Sequence, residues 1–190
     1  PKVQKLSASA DVTSSVFLDL AELGGILGDV ELLKQGMENR SFQISDRCRA
    51  AISFSRLDPS HQQAALAALR RLENEIDEDK VDQVHHLVRA ALEIDDSPET
   101  TSEALSWIAG RGNYGSSGLS TLFHMGKSEA LAEQVANAKM TDDQRRYAIR
   151  AMRELGEGEK LYNLALDPNV EFDLRLACLK ELPSLGWTQE

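Results

Sequence analysis

Two stretches decide the fold: KSEALAEQVANAKMTDDQRRYAIRAMRELG (127–156) and EGEKLYNLALDPNVEFDLRLACLKELPSLG (157–186). Written one beneath the other they align without a gap, and SPETTSEALSWIAGRGNYGSSGLSTLFHMG (97–126) falls into the same frame, with a period of 30 residues. Each ends in glycine: Gly126, Gly156 and Gly186. Just before it stand Met125, Leu155 and Leu185; three residues earlier come Leu122, Met152 and Leu182; four before those, Gly118, Ala148 and Cys178. Apolar positions spaced by three and four form one stripe of an α-helix. The small residue in the stripe lets a second helix approach closely. The terminal glycine supplies the left-handed cap that ends the helix.

A shorter stripe precedes this one: Leu131, Val135 and Met140 in one segment, Leu161, Ala165 and Val170 in the next. Each segment therefore reads as a first helix (A) and a second helix (B), joined by a turn such as Asp167-Pro168-Asn169. Thr141-Asp142-Asp143 provides the B-helix cap and first-turn acid. Working outward, Arg47, Ala50, Phe54 and Leu57 repeat the spacing of Arg145, Ala148, Met152 and Leu155, with Leu33, Met37 and Phe42 as the A-helix columns. Phe17, Leu20, Gly24, Leu27 and Gly28 fit a B helix. The segment 59–95 is longer, and reads as helices over 60–76 and 79–94, broken near Asp77-Glu78-Asp79.

A lone helical hairpin cannot bury its stripe, whereas stacked neighbours share one continuous core. The expected fold is all-α: one domain over 1–190, a solenoid with units at 1–28 (partial), 29–58, 59–95, 96–126, 127–156 and 157–186. Leu155 is expected in its core.

Leu155-Gly156-Glu157-Gly158-Glu159-Lys160-Leu161, with Leu164, Leu166, Asp167-Pro168-Asn169-Val170, Asp173, Arg175 and Ala177, resembles the HEAT-like repeat named after phycobilisome lyases. The resemblance extends over 97–186 and 29–58 and is weak over 59–95. It implies a right-handed α-α superhelix of five to six hairpins, with the B helices on its concave side. It also implies that the Asp143, Arg145, Asp173, Arg175 and Arg47 columns form an architectural ladder from B-helix starts to neighbouring turns. It carries little information about function.

Composition narrows the choice of partner. Hydrophobic residues make up 42% and charged residues 27%, too rich in apolar side chains for a disordered chain. Net charge is −10, a sign that repels phosphate backbones, so nucleic acid is disfavoured. HEAT-like glycosylases that bind DNA along a basic face are disfavoured on the same ground. No apolar run reaches the ~18 residues of a membrane span, and no signal peptide is visible, which makes cytoplasm the expected compartment. Cys48 and Cys178 are far apart, fit no metal spacing, and occupy apolar helix positions, so both are expected as small buried thiols.

No catalytic constellation emerges. Deoxyhypusine hydroxylase resembles this architecture and holds iron through His-Glu dipeptides; here His61 precedes Gln62, His85 precedes His86, His86 precedes Leu87 and His124 precedes Met125. No metal or cofactor site is expected. Gly110-Arg111-Gly112-Asn113-Tyr114-Gly115 is glycine-rich, but no strand precedes it, so it is not a phosphate loop. The acidic run from Glu73 to Asp82 lacks the spacing of a calcium loop.

The expected function is that of a non-catalytic scaffold or adaptor for another protein or peptide. Two places recommend themselves. On the 141–155 helix Arg146, Arg150 and Arg153 point away from the core with Tyr147 beside them, and Lys180 shares the Arg150 column on the next helix. Such a stripe in an acidic protein suits an acidic peptide, helix or phosphorylated segment. The second place is the 110–117 loop, where Arg111 and Tyr114 are of the types enriched at binding hot spots. The alternatives are a HEAT-like enzyme or enzyme subunit, such as a chromophore lyase-like protein, or the regulatory segment of a larger protein. The low aromatic content, 5%, offers few rings to stack on a tetrapyrrole. Trp187 stands where a further A helix would begin or where a folded-back cap would lie.

Overall fold

The computed structural model describes residues 26, 28–76, 83–109 and 115–187. These are helical, with no strand among them, and they fall into two compact units, 1–104 and 105–190. Among the described residues no helix is long and apolar enough to cross a membrane.

In the first unit, α1 (Val30–Glu38) packs on α2 (Ile44–Leu57), and α2 packs on both α3 (Gln62–Glu73) and α4 (Val84–Ile94). Asp29 caps α1 by accepting from the Leu32 amide at 3.1 Å. Leu32, Leu33, Phe54, Leu66, Leu69 and Leu87 fill the core. A short 3-10 turn (Pro59–His61) precedes α3, and Asp58 accepts from the Ser60 amide at its start, so α3 begins at Gln62, later than the start at 60 read from periodicity. The break at 77–79 lies outside the described residues, as does the 1–25 part of the first segment. α5 (Pro98–Ile108) crosses the boundary between the units. Asp95 organises its entry, accepting from Thr100 Oγ1 at 2.6 Å and from the Ser97 amide at 3.1 Å.

The second unit holds α6 (Gly115–His124), α7 (Ser128–Ala136), α8 (Asp142–Glu154), α9 (Gly158–Leu166), α10 (Phe172–Glu181) and a 3-10 turn (Leu182–Leu185). α8 packs on α7 within its hairpin and on α6 and α10 to either side; α9 packs on α10 and α7. Gly126, Gly156 and Gly186 have φ of 68°, 79° and 66°. At each, two amides fold back onto the helix that has just ended: Gly156 N donates to Arg153 O at 2.9 Å and Glu157 N to Met152 O at 3.0 Å. Gly126 with Lys127, and Gly186 with Trp187, make the same pair of bonds, the Schellman arrangement that a left-handed residue permits.

The A-to-B turns are alike as well. Asn39, Asn137 and Asp167 each accept on Oδ1 from the amide two residues on, at 3.0, 3.0 and 2.8 Å. Their carbonyls accept from Phe42, Met140 and Val170. A short polar side chain that closes its own turn explains why Asn or Asp stands there. Thr141 caps α8 as expected, and Gln144 answers it: Thr141 Oγ1 accepts from Gln144 N at 3.3 Å and Gln144 Oε1 from Thr141 N at 2.9 Å.

The small-residue column does what its size suggests. A Cβ on Gly118 would stand 2.5 Å from Ile108 Cγ1, and Ala148 and Cys178 are fully buried. Both cysteines are free and buried, and desolvation pushes the Cys48 thiol well above its ordinary range and Cys178 up to about 12.

Two expectations need correction. Leu155 is only half-buried, as are Met125 and Leu185, whereas Leu122, Met152 and Leu182 are in the core. The helix ends at this column, so the stripe turns to solvent with the glycine cap. Asp143 and Asp173 are exposed and do not meet the arginine column. Arg145, buried, instead reaches Glu171 at 2.8 Å, at the start of α10, and Asp142 at 3.3 Å. Arg47, also buried, donates to the Met37 carbonyl at 2.9 Å and pairs with Glu75. The arginines thus tie helix starts to neighbouring elements, while the exposed acids favour helix N-termini through their charge alone.

Candidate surface on the second unit

α8 has its buried side, Ala148, Ile149, Ala151 and Met152, enclosed by the helices around it. The opposite side carries Arg146 and Arg150, both exposed. Among the described residues no carboxylate pairs with either guanidinium. Lys180, in the matching position on α10, is exposed too. Tyr147 is half-buried and turns toward α6. There an open groove of about 190 Å³ runs between the two helices, lined by Phe123, Tyr147, Arg150, Ala151 and Glu154. An aromatic floor with one cation and one carboxylate at its rim suits a side chain with an apolar body and a polar tip.

Arg153 does not belong with its neighbours. It is half-buried and engaged, with Nη1 on Glu181 at 3.1 Å and Nη2 on Glu154. Those carboxylates hold its pKa above the usual arginine value, Glu154 foremost. Arg153 therefore joins α8 to α10 and is not part of a free cationic stripe. The stripe is Arg146, Arg150 and Lys180, with Asp142 and Asp143 exposed at one end of α8 and Glu154 at the other. Arg111 and Tyr114 lie outside the described residues.

Phe123 is the site residue that periodicity missed. It follows the buried Leu122 and occupies the column of Arg153 thirty residues on, so the alignment places an aromatic where the next segment has a cation. A comparison of the non-core columns would have singled it out.

A second cavity, of about 450 Å³, lies in the first unit between α1, α2 and the end of α3, with Arg40, Arg47, Arg71 and Glu75 on its walls. Arg47 and Arg40 both meet Glu75 there, at 2.5 and 3.5 Å, so two of its three arginines share one carboxylate. Among the described residues no cluster of histidine, cysteine, aspartate and glutamate is placed to hold a metal ion.

No protein-family model, no curated protein and no solved structure matches the chain.

Proposed function

We propose that this protein is a non-catalytic scaffold, a HEAT-like solenoid that binds a protein or peptide with acidic character on the B-helix face of its second unit. The observation that carries the reading is the pair of exposed arginines, Arg146 and Arg150, beside the Phe123–Tyr147 groove in a chain of net charge −10. Exposed cations collected on one helix of an acidic protein steer an oppositely charged segment, and the aromatic groove gives it an apolar anchor. Hairpins stacked on common turns and caps supply a rigid platform, which lowers the entropy lost on binding. Arg145, Arg153 and Lys160 are already engaged within the fold and belong to the platform rather than to the partner.

A photo-crosslinking side chain at position 147 tests this in a lysate of the source cells. The expected result is one dominant adduct at position 147 and none from the same group at Glu133, which is exposed on α7 and does not line the groove. Equal labelling from both positions, or none from either, would argue against a binding face here.

A further inference from the structure

Large hydrophobic side chains are exposed at few places. Among the described residues they are Ile26, Leu166, and then Phe172, Leu176 and Leu179 on a single helix, α10. The last three are 68%, 39% and 44% exposed, and their spacing of four and three puts them on one stripe. α10 also buries Leu174 and Cys178 on its other side, so it is apolar on two faces. A helix of that kind is normally covered on both.

The charges beside the stripe are arranged with a direction. Asp173 is exposed in the first turn of α10 and Lys180 in its last. At 100° per residue the two lie on the same flank of the apolar stripe. On the other flank Arg175 is turned over the Phe172 ring of its own helix, 5.7 Å from the centroid.

We propose that this stripe is the interface of a homodimer in which α10 packs antiparallel against α10 of a second copy. A twofold axis passing beside Leu176 keeps each flank facing the same flank of the partner. It sets Phe172 of one copy near Leu179 of the other and brings the two Leu176 side chains together. Asp173 then meets the partner's Lys180, and by symmetry Lys180 meets the partner's Asp173. The surface is thus complementary to itself in both shape and charge, and an antiparallel pair also opposes the two helix dipoles. The two Arg175 side chains come to the other flank, each held by its own Phe172. Lys180, the third cation of the stripe on α8 and α10, is taken up by these pairings, whereas Arg146 and Arg150 do not enter them; the inference is argued from α10 alone and does not rest on the scaffold reading.

Sedimentation equilibrium of the whole chain, between about 10 µM and about 500 µM, tests the proposal. The apparent mass should rise from 21.0 kDa toward twice that value with concentration. Leu176→Asp should hold it at the monomer value. Asp173→Lys or Lys180→Glu alone should weaken dimerisation at least about tenfold, because each places like charges opposite one another. The double variant Asp173→Lys/Lys180→Glu should recover it, which a general loss of folding would not do. A wild-type chain that stays monomeric throughout, as it would if some other element covers α10, overturns the proposal. So does a double variant no tighter than the single ones.

Discussion

Met152 and Leu155 show how much depends on where a side chain stands in the last turn. Met152 is fully buried, so Met152→Ala removes packed volume and should cost about 2–5 kcal/mol. Leu155→Ala, at the half-buried cap, should cost less than half as much; a urea titration of both variants reads the difference, and equal costs would show that the register of α8 is wrong. Asp95 offers a residue-scale test against pH. Its carboxyl is held below the usual carboxylate range, first by the Thr100 hydroxyl and also by Ser97. A depressed folded value means that the stabilisation is present above the unfolded pKa of about 3.9 and is lost as pH falls through the folded value. Melting temperature should therefore drop more steeply below about pH 4 in the wild type than in Asp95→Asn, which has nothing there to titrate. Parallel profiles would remove Asp95 from the account. Among single residues the sequence was most legible where backbone geometry demanded one type: Gly156 has φ 79°, and the terminal-glycine column announced it. The partner of Arg145 was illegible, because Glu171 is 26 residues away and nothing local points from one to the other.

At the scale of elements, capping and close approach decide which helices form and how near they come. Thr141→Ala removes one half of the reciprocal cap on α8 and should cost about 0.5–2 kcal/mol by chemical denaturation. No loss would mean that α8 is set by packing alone. Gly158 is a different case, since its φ is ordinary and the constraint is space. A Cβ there would stand 2.7 Å from Trp187 Cδ1, where the indole lies against Tyr162 with ring centroids 4.5 Å apart. Gly158→Ala in a Trp107→Phe background should shift Trp187 emission to the red as the ring is displaced toward water, and an unchanged spectrum would contradict this placement. The return of Trp187 onto α9 is one of two arrangements that the sequence left open. The Lys160 ammonium, 3.1 Å from Glu129 and 2.8 Å from Glu157, ties α9 to α7. Both helices were legible from their stripes, and so were the turns, where Asn137 and Asp167 close their own backbone. The 3-10 turn at Pro59–His61 was not, because the Asp58 cap shortens the helix without altering its apolar period.

For the whole molecule, the all-helical class followed from the 3.6-residue period and the recurring glycine, while the surface proposed for binding was only partly visible. The exposure of Arg146 and Arg150 could be read from the helical wheel. The engagement of Arg153 by Glu181 could not, because it depends on how α10 packs against α8. The groove beside Tyr147 depends likewise on Phe123 from another helix. The central claim is that the arginine face of α8 holds an acidic protein partner without contributing to the fold. Affinity capture from source lysate, comparing wild type with Arg146→Glu/Arg150→Glu, tests it most directly, with the melting temperature of both proteins measured alongside. Exposed substitutions usually change stability by no more than about 0.5 kcal/mol each, so the melting temperatures should nearly coincide. The account predicts a partner retained by the wild type, released by added salt and lost from the variant. A partner held equally by both proteins, or a variant that unfolds, would contradict it.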